Sequence, residues 1–311
     1  MPLYWKSKTL LAKTEVTYGT DSVPTAAANA VLATDVTLSP MEGQDAVRNL
    51  ERPQMAADPS IPTGLYSQLS FSVELVGSGT LGVAPAWGPL LRACAVAQTI
   101  TAATKVEYSP ITDAHESVSI YMQIDTTRHV LAGSRGTAQF KLNAQGIPVI
   151  MFTFTGLFAI PSEQAKPTPD YTAWKAPQVA SKLNTPTFTI GGANFVLRDF
   201  TFDLGNQVEP RMLIGSESIL IVDKNESLSA SVQAEPVSTY NPYTIANNQT
   251  LQAVQLIHGT VATTRVKLDL PSAQQGRLTG LETGNQNIVE WPLKFTPLPV
   301  TGNDQWKLTL Q

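Results

Sequence analysis

The chain has 311 residues, with 21 Lys and Arg against 25 Asp and Glu, a formal net charge of -4 and only 15% charged residues. Its length exceeds the size at which a single core usually keeps growing, so two domains are expected. There is no basic excess to neutralise phosphates, which excludes a tight nucleic-acid binder but not a surface that nucleic acid passes without sticking. The single cysteine, Cys94, lies in an apolar run and reads as a core residue. No apolar run approaches the ~20 residues of a membrane span. Lys6, Lys8 and Lys13 interrupt the first apolar stretch, so it does not resemble a signal peptide. These features suggest a soluble chain made in a reducing cytoplasm.

Residues 1–30 read as an arm of little periodicity that needs a partner to become ordered. A first strand is expected at Val31–Leu38. Then Ser39–Gln68, rich in proline, reads as a long irregular loop of the kind that serves function or assembly. Leu69, Phe71, Val73 and Leu75 alternate with polar residues, the period of a strand with one buried face. Trp87, Leu90, Leu91, Cys94 and Val96 fall near helical spacing, which predicts a helix over Pro85–Val96. Strands follow at Ser117–Asp125, Thr137–Leu142 and Pro148–Leu157, the last two joined by a hairpin turn at Asn143–Gly146. Pro161–Pro186 changes composition and reads as a linker or surface strap. Beyond it, strands are expected at Thr187–Ile190, Asn194–Leu204, Ile219–Asp223, Leu228–Gln233, Thr264–Leu270, Ile288–Thr296 and Gln305–Leu310. A second helix is expected over Thr250–His258, where Leu251, Val254 and Ile257 are helically spaced.

The chain appears twice in its own sequence. Asp35-x-Thr37, then Gln44, Arg48 and Leu50, then LSFSV at Leu69–Val73 return in order as Asp199-x-Thr201, then Gln207, Arg211 and Leu213, then LSASV at Leu228–Val232. FKLNAQGIPVIMFTFT at Phe140–Thr155 likewise resembles VKLDL at Val266–Leu270 followed by NIVEWPLKFT at Asn287–Thr296. The spacing is domain-sized, which divides the chain into 1–160, a linker at 161–186, and 187–311.

Chemistry is not legible. The three histidines, His115, His129 and His258, have no metal-ligand spacing, and His258 reads as a cation capping the end of the second helix. Nucleophile-elbow, phosphate-loop and zinc-protease motifs are missing, and the glycine clusters at Gly77–Gly79 and Gly133–Gly136 read as turns. Asp35 and Asp199 read as a repeated turn or interface hydrogen bond in preference to a catalytic carboxylate pair. No enzyme, cofactor or metal site is expected. Many strands with few charges leave open edges suited to strand addition between copies.

KTEVTYGTD at Lys13–Asp21, APAWGPLLRACAVA at Ala84–Ala97, FTFTGLF at Phe152–Phe158 and DLGNQVEPRMLIGSESILI at Asp203–Ile221 resemble the tail tube (major tail) proteins of long non-contractile bacteriophage tails. The resemblance implies a mainly β fold, here two tail-tube-type β-sandwich or partial-barrel domains with one short helix each. It also implies stacked rings of the chain itself that form a DNA conduit in the virion tail, with tape measure and terminator proteins as further partners. In that setting Glu42, Gln44, Arg48, Arg52, Gln207 and Arg211 are the expected assembly contacts. The contrasting reading is a carbohydrate- or receptor-binding β-sandwich module of a virion. That reading calls for exposed aromatics clustered on one sheet face, whereas Tyr171 and Trp174 lie in the linker and Trp291 on a core strand.

Overall fold

The computed structural model describes residues 3–283 and 287–311. Its first half contains β1 (Lys8–Thr14), β2 (Ala30–Val31), β3 (Thr34–Val47), β4 (Ser60–Glu74), α1 (Gly88–Arg92), β5 (Val96–Thr101), β6 (Lys105–Pro110), β7 (Val118–Ile124), β8 (Thr127–Asn143), β9 (Val149–Leu157) and β10 (Ser162–Glu163). The second half contains β11 (Thr187–Ile190), β12 (Ala193–Asn194), β13 (Leu197–Asp203), β14 (Asn206–Leu213), β15 (Ser216–Lys224), β16 (Ser227–Gln233), α2 (Pro242–Asn247), β17 (Leu251–His258), β18 (Val266–Gln275), β19 (Glu282–Thr283), β20 (Val289–Pro297) and β21 (Lys307–Leu310). The fold is mainly β with one short helix in each half, as expected.

The two halves use the same pairings. In the first, β3 pairs β4, β4 pairs β9, β9 pairs β8, β8 pairs β7 and β7 pairs β1, all antiparallel. In the second, β13 pairs β16, β16 pairs β20, β20 pairs the end of β18 together with β19, β18 pairs β17 and β17 pairs β11. The register agrees as well: Thr37 faces Ser70 as Thr201 faces Ser229, and Leu38 faces Leu69 as Phe202 faces Leu228. LSFSV pairs with β9 through Leu69–Phe154 and Phe71–Phe152, and LSASV pairs with β20 through Leu228–Phe295 and Ala230–Leu293. At the far end the sequence likeness misleads. Val266–Leu270 pairs with β17 and β21, not with β20, so it corresponds to the first part of β8 and not to Phe140–Leu142.

Joining the halves is a strand pair inside the chain. β8 runs beside β13 with Phe140 opposite Phe202 and Lys141 opposite Thr201. The resulting sheet reads β3-β4-β9-β8-β13-β16-β20 and then β18 with β19. Alternation gives it one apolar face, on which Phe71, Phe152, Phe154, Phe140, Phe202, Leu228 and Phe295 share a single core that spans both halves. Trp306 and β21 return to the first half, where Leu308 pairs with Tyr108 of β6.

Several expectations fail for identifiable reasons. Ser39–Gln68 is irregular only over residues 48–59: on either side β3 and β4 form a long hairpin whose bulges hide its alternation. Gly43 sits at one bulge, where a Cβ would come within 2.8 Å of the Thr63 carbonyl oxygen. The arm is ordered within the chain, because β1 buries Leu10, Leu11 and Ala12 against β7. The Glu15 carboxylate then accepts from the Ser117 and Ser119 hydroxyls (2.6 and 2.7 Å) and from the amide of Gly133 (2.7 Å). The first helix is only α1, and Val96 already opens the hairpin β5-β6, which periodicity missed. The second helix is α2, and Thr250–His258 is largely strand β17, with Val254, Leu256 and His258 buried at period two. Gly133–Gly136 lies within β8 instead of a turn; Gly133 takes φ +59° where a Cβ would press on the Tyr18 ring. Ile219–Asp223 and Leu228–Gln233 run on from one another, β15 leading into β16, because β13 and β14 lie opposite them in the same order.

His258 is no capping cation. It is buried, its Nε2 donates to the Gln178 carbonyl (3.0 Å), and its Nδ1 accepts from Thr185 Oγ1 (3.0 Å), so the ring ties the strap 161–186 to the second half. Burial holds its pKa below the usual histidine value. The folded state therefore favours the neutral ring, and the unfolded chain binds the extra proton first as pH falls. Stability is expected to be intact above about pH 6.5 and to decline below it. His258→Asn should lower the melting temperature at pH 7.5 and flatten its fall between about pH 6.5 and 5. An unchanged acid slope in that variant would count against this strap role.

Candidate assembly surfaces

Two hairpins leave the sheet in corresponding places and meet different fates. The second, β14-β15, is separated from β13 and β16 by breaks at Leu204-Gly205 and Asn225-Glu226 and folds back on the first half. Asn206 Nδ2 donates to the carbonyls of Cys94 (2.7 Å) and Gly136 (3.0 Å). Lys224 Nζ donates to the carbonyls of Ala95 (2.9 Å) and Ile111 (2.6 Å), and burial lowers its pKa. Arg135 Nη1 donates to the Ile219 carbonyl (2.9 Å), and its guanidinium lies 4.7 Å from the centre of the Tyr18 ring. Sequence reading missed these three anchors, Asn206, Lys224 and Arg135, because each bonds to backbone that is distant in sequence.

The first hairpin has no comparable seat among the described residues of its own chain. From Pro40 to Thr63 every residue is exposed, with Met41, Val47, Met55 and Ile61 among them. At about 3.3 Å per residue, β3 carries the chain about 25 Å past the point where β13 ends its pairing with β8. Glu42 and Gln44 lie on this outgoing strand, and Arg48 and Arg52 follow it in the connecting loop. Gln207 and Arg211 lie on the outgoing strand of the other hairpin, where Arg211 faces Ser218. Gln207 Nε2 donates to Glu209 (3.4 Å). The six residues are thus distributed over two projections and do not form one cluster. Arg211 lies on the outgoing strand and Arg48 just past the end of one, both exposed.

Among the described residues β3 also presents an unpaired edge. It pairs with β4 on one side, whereas its counterpart β13 has β16 on one side and β8 on the other. Asp35 and Asp199 are four strand spacings of about 4.8 Å apart across this sheet, too far for a shared catalytic pair.

The sheet face opposite the core is a hydroxyl surface. Thr37, Ser70, Thr153 and Thr137 stand in one row across four strands, with Ser70 Oγ 3.1 Å from Thr153 Oγ1, and Thr201 and Ser229, level with Lys141, add hydroxyls on the same face in the second half. The carboxylates of Glu74, Asp199, Asp203, Glu282 and Glu290 stand against the cations Arg135, Lys141, Arg198 and Lys294. Arg198 is paired with Glu290 (2.5 Å), and Asp203 accepts from Gln139 (3.1 Å). Such a face is polar and weakly acidic, with no basic track for phosphates.

A family model described as phage tail tube protein matches residues 5–304. The chain belongs to the phage tail tube proteins. This tail tube protein has no match among curated proteins. The family assigns it a structural role in the virion tail and fits the β-rich architecture. Among the described residues, no helix is long and apolar enough to cross a membrane, and no group of three His, Cys, Asp or Glu is placed to hold a metal ion. Cys94 is fully buried, and its desolvated thiol has its pKa pushed well up.

Proposed function

We propose that this tail tube protein self-assembles into stacked rings whose joined sheets form the wall of a channel for DNA ejection. Three copies close each ring. Each chain then supplies two successive wall units, residues 1–160 and 187–311, spanned by the strap 161–186. The observation that carries this reading is the internal β8–β13 junction: two equivalent four-strand units already stand side by side in one sheet, and the edge that β13 gives to β8 is, among the described residues, unoccupied on β3. Three such chains repeat the unit six times and give pseudo-sixfold symmetry.

In this arrangement the hydroxyl-rich, weakly acidic face lines the lumen. Like charge keeps passing DNA from making the salt-dependent phosphate contacts that would retard it. The exposed β3-β4 hairpin reaches the adjacent ring, and Glu42, Gln44, Arg48, Arg52, Gln207 and Arg211 contact neighbouring copies. Tape measure and terminator proteins are the expected further partners. Electron microscopy of the purified protein tests the reading: rings with threefold symmetry and a non-basic inner surface are expected. True sixfold rings, with residues 187–311 outside the wall, would sink it.

A further inference from the structure

The repeat specifies which edge a second copy offers to β3. Through their shared partners, Phe154 of β9 corresponds to Phe295 of β20, since Leu69 and Leu228 face them. The strand beside β9 is β8, with Gly136 opposite Phe154 and Lys141 opposite Val149. Beside β20 the same place is filled first by β18, with Gln275 opposite Phe295, and then by β19, with Glu282 opposite Glu290. Val149 and Glu290 are equivalent, because Glu74 and Gln233 face them. Glu282 therefore stands where Lys141 stands in the first half, and Leu281 where Phe140 stands.

The occupancy of the two places differs. Phe140 is 2% exposed and stacks on Phe202, ring centres 6.0 Å apart, because β13 lies alongside. Leu281 is 58% exposed, a large aliphatic residue at a core-facing position of the repeat with no strand beside it among the described residues. On the opposite edge of the molecule Leu38, the counterpart of Phe202, is only half-buried. The two unfilled positions are complementary halves of the contact that Phe140 and Phe202 make within the chain.

We infer that the Val36–Leu38 edge of one copy pairs antiparallel with Leu281–Thr283 of a second copy, Thr37 opposite Glu282, so that Leu38 packs against Leu281. This inference rests on the ring reading above and adds its register. The geometry is that of β13 on β8, where Phe200, Thr201 and Phe202 face Leu142, Lys141 and Phe140. A slip by one residue would turn Leu38 and Leu281 to opposite faces, so burial of this pair fixes the register.

The test is cross-linking of the full chain carrying Thr37→Cys and Glu282→Cys, treated after assembly with a short thiol-reactive cross-linker. Directly opposed residues have Cβ atoms about 4.5–5.5 Å apart, within its reach. The native Cys94 is buried and serves as an internal silent thiol. Covalent species ending at a closed set of chains are expected in tubes. Tubes that show no product, or that cross-link better through Thr37→Cys with Thr283→Cys, would overturn the register while leaving the ring reading intact. Absence of rings from the wild-type protein would instead remove the ring reading itself. Leu281→Asp supplies the second measurement: loss of tubes with the melting temperature moved by no more than about 2 °C is expected. Wild-type tube yield from that variant would overturn the edge contact.

Discussion

A chain in which Asp45–Pro62 is replaced by an Asn-Gly turn is expected to fold and melt like the parent and to form no elongated tube. Gln44 and Thr63 face each other across the hairpin, and Thr63 Oγ1 donates to the Gln44 carbonyl (3.1 Å), so a tight turn can close the shortened ladder there. The removed residues are all exposed and contribute nothing to the core, so the cost to folding should be within the range of ordinary surface changes. Assembly is another matter. A hairpin that projects about 25 Å, exposes Val47, Met55 and Ile61, and lacks the backbone anchors that hold β14-β15 has no such seat among the described residues of its own chain, and the proposed ring stacking supplies one. Sedimentation together with electron microscopy checks the outcome. Tubes of parental length from the shortened chain would show that the hairpin is dispensable.

The milder companion change is Arg211→Ala. Arg211 is exposed on β14 and should leave the melting temperature alone while reducing assembly yield. Yield equal to wild type would retire the interface role of that arginine.

What the sequence disclosed was the part governed by alternation and repetition. LSFSV and LSASV announce two equivalent core strands because every second residue is apolar, and the structure pairs both with matching partners. Tertiary pairing overrode local pattern where the two competed. Leu251, Val254 and Ile257 are spaced like a helix face, yet Val254, Leu256 and His258 are the buried set, since β11 and β18 take β17 between them. Bulges at Thr34–Thr37 and Ser39–Gln44 break the period of β3, so the longest hairpin was invisible to a test for alternation. The six residues singled out as assembly contacts are divided between the β3-β4 and β14-β15 hairpins. The unpaired edge of β3 could not be read at all, because an edge is a property of what a strand lacks beside it.

Phe202→Ala is expected to lower stability by about 3–5 kcal/mol, a large part of the ~5–15 kcal/mol typical of folded proteins. Phe202 is fully buried, stacks on Phe140 across the β8–β13 pair and meets the Trp306 ring edge-on at 5.6 Å. Truncation would leave a void bounded by residues of both halves and by the returning C-terminal segment, which can collapse only if the junction itself shifts. In a protein of this size the melting temperature should fall by roughly 10 °C. Since the two halves share one sheet and one core, the loss should appear as a single shifted transition by tryptophan fluorescence and by circular dichroism alike. The equivalent substitution Leu38→Ala removes a half-buried residue from the open edge and should cost the isolated chain much less, while weakening assembly where Leu38 is covered. Two separate transitions, only one of them displaced by Phe202→Ala, would show that the halves fold independently and that the internal junction is not the cooperative seam described above.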